Sequence, residues 1–392
     1  MRFEWLSSIA EVTAADWNAL FSADYPFSRY EFLLALEQGG SVGNANGNEA
    51  AKQTGWLVRH FVVWQGDQLL AAVPAYIKLH SYGEYLFDWS FAEAYQNYGL
   101  EYYPKLLLAI PFTPAEGPRL GVAAGVEKTL LLQWLQQGIS QLHQVLPLSH
   151  MQCLYASKDD QQAFRDAGFI ERFDVQFLWS NQNFQHFDDF LALLTARKRK
   201  QIRKERAAVA EQGVVLKSLK GAELDLAFWQ QFYGFYCDTY QKRSRHNGYL
   251  TADSFWRWGQ AMAEQMIVFA AFVDDQMVAA SLCFQSDTIL YGRYWGCKQD
   301  FNFLHFECCY YRGIEYCIRQ GLQFFDAGAQ GEHKLQRGFA PVLRHGFYRF
   351  TEKAEHKAIN EAIARYCVQE QRALVQYQQE AQQSLPFANR TD

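Results

Sequence analysis

A turn rich in glycine and ionisable side chains, Gly331-Glu-His-Lys334, is the segment of the sequence best suited to chemistry. It follows an apolar run that predicts a β-strand, and loops that a rigid scaffold positions are frequent places for site residues. The Lys334 ammonium could hold a phosphate or carboxylate, or stabilise the oxyanion of an acyl transfer, and Glu332 or His333 could accept a proton. The alternative interpretation is an ordinary solvated turn.

Further side chains are candidate substrate-binding groups or acids. Arg293 and Tyr294 belong to a predicted strand, and Tyr294 is a candidate general acid. Glu84 and Asp88 lie in an aromatic stretch and could bind a sugar or an amine. The alternative for these two is the edge of an aromatic core with exposed acids. Arg119 follows Gly-Pro and could contact a phosphate, although a plain surface arginine explains it as well.

A run of basic residues lies at 197–206, in the middle of a helix predicted over 188–212. Arg199 and Arg203 are candidate contacts to an RNA or pyrophosphate backbone, whereas a solvated helix face is the ordinary explanation. The formal charge of −5 argues against a basic surface that covers the whole protein. The sequence has no HExxH motif and no paired Cys/His spacing, so we predict no metal site.

Composition and cysteine spacing indicate a soluble globular protein. Hydrophobic residues make up 49% of the 392 residues, enough to build the cores of more than one domain. The eight cysteines follow no disulfide framework, which predicts reduced, buried thiols and a cytoplasmic location. No signal-peptide pattern and no apolar run of membrane-spanning length is visible. The sequence does not indicate the oligomeric state.

An internal repeat organises the chain. Residues 269–280 align without a gap on residues 61–72 and share a Phe, an Asp, a Gln and an Ala-Ala pair. In both halves a predicted helix, a short strand and a Gly-Phe pair follow in the same order, which indicates duplication. Phe164 takes the position aligned with Lys334. We therefore expect the first copy to lack the chemistry of the second.

The order of the predicted elements indicates the fold class. In the second half, strands at 266–273, 276–285 and 288–296 form an antiparallel meander, and a helix at 305–320 crosses over to a parallel strand at 322–327. This order is the plan of the GNAT N-acyltransferases. We predict an α/β (α+β) protein of two tandem GNAT-like units, each a mixed, mostly antiparallel sheet with flanking helices.

The predicted domains follow from the repeat. We place the N-terminal unit at 1–185, the C-terminal unit with its basic helix at 186–352, and a polar helix and tail at 353–392. We expect the site to lie between the repeats, mostly on the second.

Two long stretches carry motifs that resemble a known family. The motifs are SYGEYLFDW (81–89), YYPKL (102–106), PFTP (111–114) and GPR (117–119) in the first stretch, and YGRYWG (291–296), GAQGEHK (328–334) and RGF (337–339) in the second. Together they resemble the FemAB-like peptidoglycan biosynthesis/recognition family within the GNAT superfamily. The likeness covers most of the chain.

The resemblance implies an acyl or aminoacyl transferase that acts on an amine acceptor. Fem transferases move an amino acid from aminoacyl-tRNA onto the peptide of a cell-wall precursor. A glycopeptide or small-molecule substrate and a tRNA partner are therefore implied here. The resemblance also implies that Lys334 lies in the substrate cleft of the C-terminal repeat, and the basic helix that contains Arg199 is similar to theirs.

Two alternatives stay open. An acetyl-CoA-dependent N-acetyltransferase would share the fold, although residues 297–304 lack the glycines that are usual in a pyrophosphate loop. A non-catalytic protein could instead recognise a cell-wall peptide or glycan through the aromatic stretch. The donor is accordingly aminoacyl-tRNA or acyl-CoA, and no other cofactor is indicated.

Overall fold

The computed structural model describes residues 1–43, 54–329 and 331–388. Its strands in chain order are β1 (Arg2–Leu6), β2 (Trp56–Val58), β3 (His60–Gln65), β4 (Gln68–Val73), β5 (Ala75–Lys78), β6 (Lys105–Leu108), β7 (Gly121–Val122), β8 (His150–Leu154), β9 (Ile170–Ser180), β10 (Val215–Lys220), β11 (Met266–Val273), β12 (Gln276–Gln285), β13 (Ile289–Cys297), β14 (Phe324–Asp326) and β15 (Ala340–Phe350).

The helices in chain order are α1 (Ala14–Asn18), α2 (Tyr30–Gln38), α3 (Trp89–Asn97), α4 (Lys128–His143), α5 (Lys158–Asp166), α6 (Phe187–Leu193), α7 (Ala196–Glu211), α8 (Leu226–Ser244), α9 (Ala252–Ala261), α10 (Leu304–Phe306, a π-helical turn Glu307–Tyr311, and Arg312–Gln320) and α11 (Lys357–Gln383). Short 3-10 turns lie at Ile9–Glu11, Pro26–Ser28, Gly221–Glu223, Ala263–Gln265, Glu332–Arg337 and Ala354–His356.

The chain forms two compact units. Unit 1 is Met1–Asp174 with Leu343–Gln376, and unit 2 is Val175–Val342 with the chain from Tyr377 onward. The helix α11 is thus divided between the units, whereas the sequence placed it in a separate segment from residue 353. The end of that segment, 389–392, lies outside the described residues.

Strand exchange explains why the unit boundaries differ from those expected at 185/186 and 352/353. The strand β9 follows β8 in sequence, yet its end pairs with β14 in unit 2. The strand β15 follows β14 in sequence, yet its end pairs with β8 in unit 1. Each unit therefore takes its last strand from the other half of the sequence, and no single cut of the chain separates them.

Unit 2 contains a sheet in the order β10-β11-β12-β13-β14-β9. All its described neighbours are antiparallel except β13 and β14, which are parallel. The predicted meander is confirmed, and so is the parallel strand that follows the crossover helix. The predicted fold class, an α+β protein of two units with mixed, mostly antiparallel sheets and flanking helices, is confirmed as well.

Unit 1 contains two groups of strands, in the orders β1-β3-β4-β7 and β15-β8-β6-β5-β2. Pro74 separates β4 from β5, because a proline has no N–H to donate to a sheet ladder. The strands β6 and β8 are parallel, as are β13 and β14 in unit 2.

The repeated hairpin has the same register in both units. In β3–β4, Val63 lies opposite Ala71 and a bulge follows. In β11–β12, the aligned residues Ala271 and Ala279 lie opposite each other, and a bulge follows at the same point. A bulge is a specific irregularity that related sheets tend to retain. The predicted equivalence of the two hairpins is therefore confirmed.

The crossover helix α10 packs closely on the sheet of unit 2 through a glycine. A Cβ at Gly313 would lie 2.3 Å from the ring of Phe325 on β14. Gly321 ends the helix with φ 69°, a conformation that glycine adopts without steric cost. The π-helical turn widens the helix before Gly313, and such turns are frequent at functional sites.

The long helix predicted over 188–212 is interrupted. Leu194 is extended (ψ 157°), and the Thr195 N–H donates to the Pro386 carbonyl at 2.8 Å. Because that backbone donor is engaged outside the helix, α6 ends and α7 begins as a separate helix.

The cysteine prediction agrees with the structure. All eight thiols are free, and six of them are buried. Within the described ranges, no helix has both the length and the apolarity needed to cross a membrane.

Two glycine substitutions in unit 2 should have opposite effects on stability. Gly313→Ala should lower it by about 1–3 kcal/mol, because the new Cβ would overlap the Phe325 ring. Gly234→Ala, inside α8 with no atom within 4 Å of its Cβ position, should raise it by about 1 kcal/mol through helix propensity. Thermal melting of both variants measures the difference. Equal melting temperatures would contradict the close packing of α10.

Candidate functional site

The candidate site lies where β13 and β14 separate. Their parallel pairing joins Ile289–Tyr291 to Phe324–Asp326 and then stops. Beyond this point β13 continues to Cys297 beside β12. An opening therefore forms at the carboxyl ends of two parallel strands, the position at which open α/β sheets bind ligands.

Lys334 occupies this opening. It belongs to the 3-10 turn after β14, is only 1% exposed, and donates through Nζ to the Gly328 carbonyl. Burial lowers its pKa from 10.5 to about 8, and the nearby Asp326 carboxylate opposes the change. The side chain is therefore mainly an ammonium at neutral pH, yet it can lose its proton under mild conditions.

Two predicted residues of β13 flank the opening in different surroundings. Arg293 is close enough to Lys334 for its charge to lower the lysine pKa. Its guanidinium lies 5.5 Å from the centre of the Tyr294 ring. Tyr294 is buried and packs against the rings of Tyr236 and Phe255. The structure thus brings Arg293 to Lys334, and it gives Tyr294 a packing role in an aromatic core.

The π-helical turn of α10 brings a tyrosine to His333. The Tyr310 hydroxyl and His333 Nε2 are 2.8 Å apart. Burial, assisted by the charges of Arg337 and Lys334, lowers the pKa of His333 below its ordinary value. Burial also lowers the pKa of the neighbouring His305 to about 3. Both imidazoles are therefore neutral at pH 7, the form that accepts a proton.

Glu332, the third predicted ionisable group of the turn, lies at the surface. It is exposed and accepts a hydrogen bond from the Tyr377 hydroxyl at 3.0 Å. His333 is exposed as well, but its imidazole contacts the Tyr310 hydroxyl of α10, whereas Glu332 contacts Tyr377 of α11, so His333 is the better-placed proton acceptor of the two candidates.

A buried ion pair fixes the turn that carries Lys334. Arg337 donates to Glu205 at 3.0 Å and to the Tyr311 hydroxyl at 2.8 Å, and its guanidinium lies 3.6 Å from the centre of the Phe306 ring. These contacts tie the turn to α7 and α10. Such a network holds a site group in one position.

A cavity of about 140 Å³ adjoins this cluster through His305. Arg243 lines it and is close enough to lower the pKa of His305. Lys242 also lines it, 3.8 Å from the Asp300 carboxylate. The remaining lining residues are Thr239, Trp295, Cys297, Gln299, Phe301 and Leu304. Two cations beside an aromatic ring form a suitable environment for a phosphate next to a flat ring.

Glu84 and Asp88 lie in unit 1, around a lysine that the sequence did not single out. The Lys105 ammonium is fully buried and donates to Glu84 at 2.8 Å, to Asp88 at 2.6 Å and to Ser81 at 3.0 Å. The Tyr102 hydroxyl also donates to Asp88, at 2.6 Å. Burial raises the pKa of Glu84, whereas Lys105 and its hydrogen bonds outweigh burial at Asp88 and lower that pKa. These acids serve as internal anchors, and neither faces solvent.

Arg119 is a structural residue of unit 1. It is fully buried, and its guanidinium donates to the carbonyls of Leu154 and Ala115 at 3.0 and 2.8 Å. A parallel bridge between Gly117 and Ala156 adds to the pairing of β6 with β8 in this region. Arg119 is therefore a structural residue and not a substrate contact, because its guanidinium N–H groups donate to main-chain carbonyls.

The basic helix α7 carries Arg199 and Arg203 on its exposed side. Arg199 donates to the Ala192 carbonyl at 3.0 Å, and Arg203 pairs with Asp188 at 2.9 Å. Exposed pairs of this kind contribute little to stability. Arg203 is exposed and Arg199 is half-buried, so a polyanion would meet the guanidinium of Arg203 more fully.

Sequence reasoning missed Tyr310, Arg243 and Lys105. Tyr310 and Lys105 stand inside the motifs or helix that the sequence singled out, but only tertiary contacts show what they touch. Arg243 belongs to α8, far in sequence from the glycine-rich turn, and no sequence signal connects it with the site.

Replacing the buried ammonium should stabilise unit 2. Lys334→Met keeps a similar volume without the charge, whose burial costs on the order of 3 kcal/mol for a pKa lowered from 10.5 to about 8. The folded protein releases this proton at a lower pH than the unfolded chain. The cost is therefore fully present below pH 8 and disappears as the pH rises through 10.5. Thermal melting should show a larger gain at pH 7 than at pH 9.5.

The matched control is Lys217→Met, which removes an exposed ammonium from β10 in the same unit. It should show no such pH-dependent gain. An equal gain from Lys334→Met at both pH values would contradict a buried charge at this position.

Three comparisons place the chain among known proteins. Residues 8–389 match the model of the FemAB-like family, described as peptidoglycan biosynthesis/recognition. No curated protein matches the chain. The C-terminal domain of a putative lysylphosphatidylglycerol synthetase from Agrobacterium fabrum is 10% identical, with a TM-score of 0.52 over 94% of this chain and 98% of that chain, which shows a shared fold.

Two further solved structures are similar to this chain, with lower TM-scores. FemX is 12% identical, with a TM-score of 0.46 over 79% of this chain and 92% of that chain. A tandem GNAT protein from the clavulanic acid biosynthesis pathway is 10% identical, with a TM-score of 0.45 over 90% of this chain and 99% of that chain. The family match spans nearly the whole sequence, and the chain therefore belongs to the FemAB-like family of peptidoglycan biosynthesis/recognition proteins.

Proposed function

We propose that this protein is an aminoacyltransferase of the GNAT superfamily that acylates the amine of a cell-wall peptide precursor, with its reaction centre in the opening of unit 2. Membership of the FemAB-like family supports a transferase in peptidoglycan synthesis. The single observation that carries the proposal is a buried ammonium, Lys334, beside a neutral imidazole, His333, at the carboxyl ends of two parallel strands.

The chemistry requires an oxyanion donor and a proton acceptor. The acceptor amine attacks the acyl carbonyl, the new N–C bond forms, and the carbonyl oxygen becomes an oxyanion beside the Lys334 ammonium. His333 takes the proton from the attacking nitrogen and returns it to the leaving oxygen as the ester C–O bond breaks. The products are an amide and the free hydroxyl of the donor, so no covalent enzyme intermediate is needed.

The cavity next to His305 supplies the donor site. Lys242 and Arg243 can neutralise a phosphate, and Trp295 offers a flat face to a base. These features suit the nucleotide end of aminoacyl-tRNA and of acyl-CoA alike. The exposed basic residues of α7 favour the RNA donor, because an RNA presents further phosphates beyond its terminal nucleotide.

The role of Lys334 predicts a specific pH dependence. Lys334→Ala should lower kcat by about 100- to 1,000-fold, as removal of one oxyanion donor typically does. Activity requires the ammonium, so the wild-type rate should fall as the pH rises through about 8. Lys334→Arg should recover part of the rate and lose this alkaline limb, because a guanidinium stays protonated.

Steady-state rates with purified aminoacyl-tRNA and a soluble cell-wall muropeptide measure these values. Lys217→Ala, an exposed lysine of the same unit, is the control and should behave as wild type. Full turnover by a folded Lys334→Ala variant would remove this residue from the mechanism.

The salt dependence of donor binding tests whether the acyl donor is aminoacyl-tRNA. Binding of aminoacyl-tRNA should weaken steeply with salt, because each neutralised phosphate releases counterions. Arg199→Ala/Arg203→Ala should lower the slope of log K against log salt by about one to two. The double variant Lys217→Ala/Arg257→Ala removes two other cations of unit 2 and should leave the slope unchanged. Tight, salt-insensitive binding of acetyl-CoA would contradict the RNA donor and favour an N-acetyltransferase.

A further inference from the structure

A cavity of about 470 Å³ lies in unit 1 between α4 and the sheet, and we call it the α4 cavity. Gln136, Ile139, Ser140 and His143 form its helical wall, and their spacing places them on one face of α4. The opposite wall includes the amino end of β8 and the carboxyl end of β15. The position in unit 1 that is equivalent to the opening of unit 2 is the carboxyl end of β8, so the α4 cavity is a different site. Its volume suits a small-molecule ligand.

The walls of the α4 cavity are held in place by the protein itself. A Cβ at Gly138 would lie 2.4 Å from the Phe61 ring, so α4 rests closely on β3. On the other side, the Thr351 N–H donates to the Ser149 carbonyl at 3.1 Å and joins the segments next to β15 and β8. A ligand that enters a preformed pocket orders little of the chain, which lowers the entropic cost of binding.

Aliphatic side chains line part of the cavity. Leu148 and Met151 are buried members of the hydrophobic core of unit 1, and the half-buried Ile139 packs against that core. All three line the cavity, so part of their surface is not covered by other core residues. These groups favour a ligand with a hydrocarbon body, because such a body would leave water on binding them.

Arg349 places a cation on the side of the sheet that faces α4. It lies opposite Met151 in the pairing of β15 with β8, and Phe347, two residues earlier, belongs to the hydrophobic core on this side. Within the described part of the chain, the guanidinium makes one hydrogen bond, from Nη1 to the Ala167 carbonyl at 3.3 Å. Its ion pair with Glu352 is 4.0 Å long, and that carboxylate is 89% exposed. Such a pair contributes little, so the remaining N–H groups of Arg349 can bind a ligand.

His143 supplies a second donor in the cavity. The Leu148 N–H donates to His143 Nδ1 at 3.2 Å, which leaves the ring proton on Nε2. Together with Arg349, the cavity offers one permanent positive charge and a further N–H group. One cation balances a monoanion such as a carboxylate, whereas a doubly charged phosphate would keep an uncompensated charge in a partly buried site.

We propose that the α4 cavity binds a small monocarboxylic acid with an apolar body. Arg349 and His143 donate to the carboxylate oxygens, and Ile139, Leu148 and Met151 cover the hydrocarbon. All these residues belong to unit 1, and the inference does not depend on the proposed transferase function. Charge complementarity favours an acid over a neutral apolar molecule, because a neutral ligand would shield the guanidinium from water without giving it an acceptor.

Calorimetric titration with phenylpropionate and with its neutral amide, phenylpropionamide, tests the role of the charge. The wild-type protein should bind the acid more tightly than the amide. Arg349→Met keeps a long side chain without the charge and should weaken binding of the acid about 10- to 100-fold, the effect of losing a charge-assisted hydrogen bond, while binding of the amide stays unchanged. The control is Arg2→Met, which removes a guanidinium that is 66% exposed on β1 of the same unit and should bind as wild type.

A second variant tests the place of binding. Ser140 is exposed and lines the cavity, so Ser140→Phe adds a ring to the cavity without removing core packing, and both ligands should bind more weakly. Gln141→Phe, on the neighbouring exposed position of α4 outside the cavity lining, is the matched control and should leave both affinities unchanged. Thermal melting without ligand shows that each variant is folded.

Four results would overturn the proposal. The wild-type protein could fail to bind the acid, or it could bind acid and amide equally, which would make the site one for neutral apolar molecules. Affinity that neither Arg349→Met nor Ser140→Phe changes would place the ligand elsewhere on the protein. Titration with inorganic phosphate supplies the fourth: phosphate that binds as tightly as phenylpropionate and is lost in Arg349→Met would replace the carboxylic acid by a general anion.

Discussion

The parallel pairing of β13 with β14 ends after three residues, and the candidate site depends on that limit. Because the pairing of β14 ends at Asp326, the second half of β13 extends past β14 and the sheet opens there. The turn after β14 then folds back and places Lys334 in the gap. The close packing of α10 at Gly313 and the ion pair of Arg337 with Glu205 keep the surrounding elements in place. A longer β14 would have closed the sheet and excluded the site.

The two units share one scaffold but differ in the side chains at equivalent positions. Both have a meander, a crossover helix and one parallel pair of strands, and their first hairpins share a bulge. In unit 1, a bridge between Gly117 and Ala156 adds to the parallel pairing, and Arg119 fills the interior beside it. Phe164, aligned with Lys334, belongs to the hydrophobic core. The first copy therefore has a packed interior where the second has an ionisable group.

The partners of each buried lysine determine what the lysine can do. Burial disfavours an ammonium in both units. In unit 1 the carboxylates of Asp88 and Glu84 outweigh burial and raise the pKa of Lys105, so this cation stays charged and acts as an anchor. In unit 2 the Nζ of Lys334 donates to a carbonyl, burial dominates, and the pKa falls to about 8. An anchor needs a permanent charge, whereas chemistry at neutral pH needs a group close to its pKa.

The sequence by itself determined the repeat, the meander, the parallel strand after the crossover helix and the position of Lys334 in a turn after a strand. These features depend on local periodicity, glycine positions and hairpin patterns, which neighbouring residues encode. Only the tertiary structure decided that β9 and β15 exchange units, that Arg119 is internal, that Lys105 binds Glu84 and Asp88, and that Tyr310 meets His333. Each of these depends on contacts between residues distant in sequence or on burial. The sequence cannot distinguish a lysine in solvent from a lysine that is 1% exposed, and burial is the largest cause of the lowered pKa of Lys334.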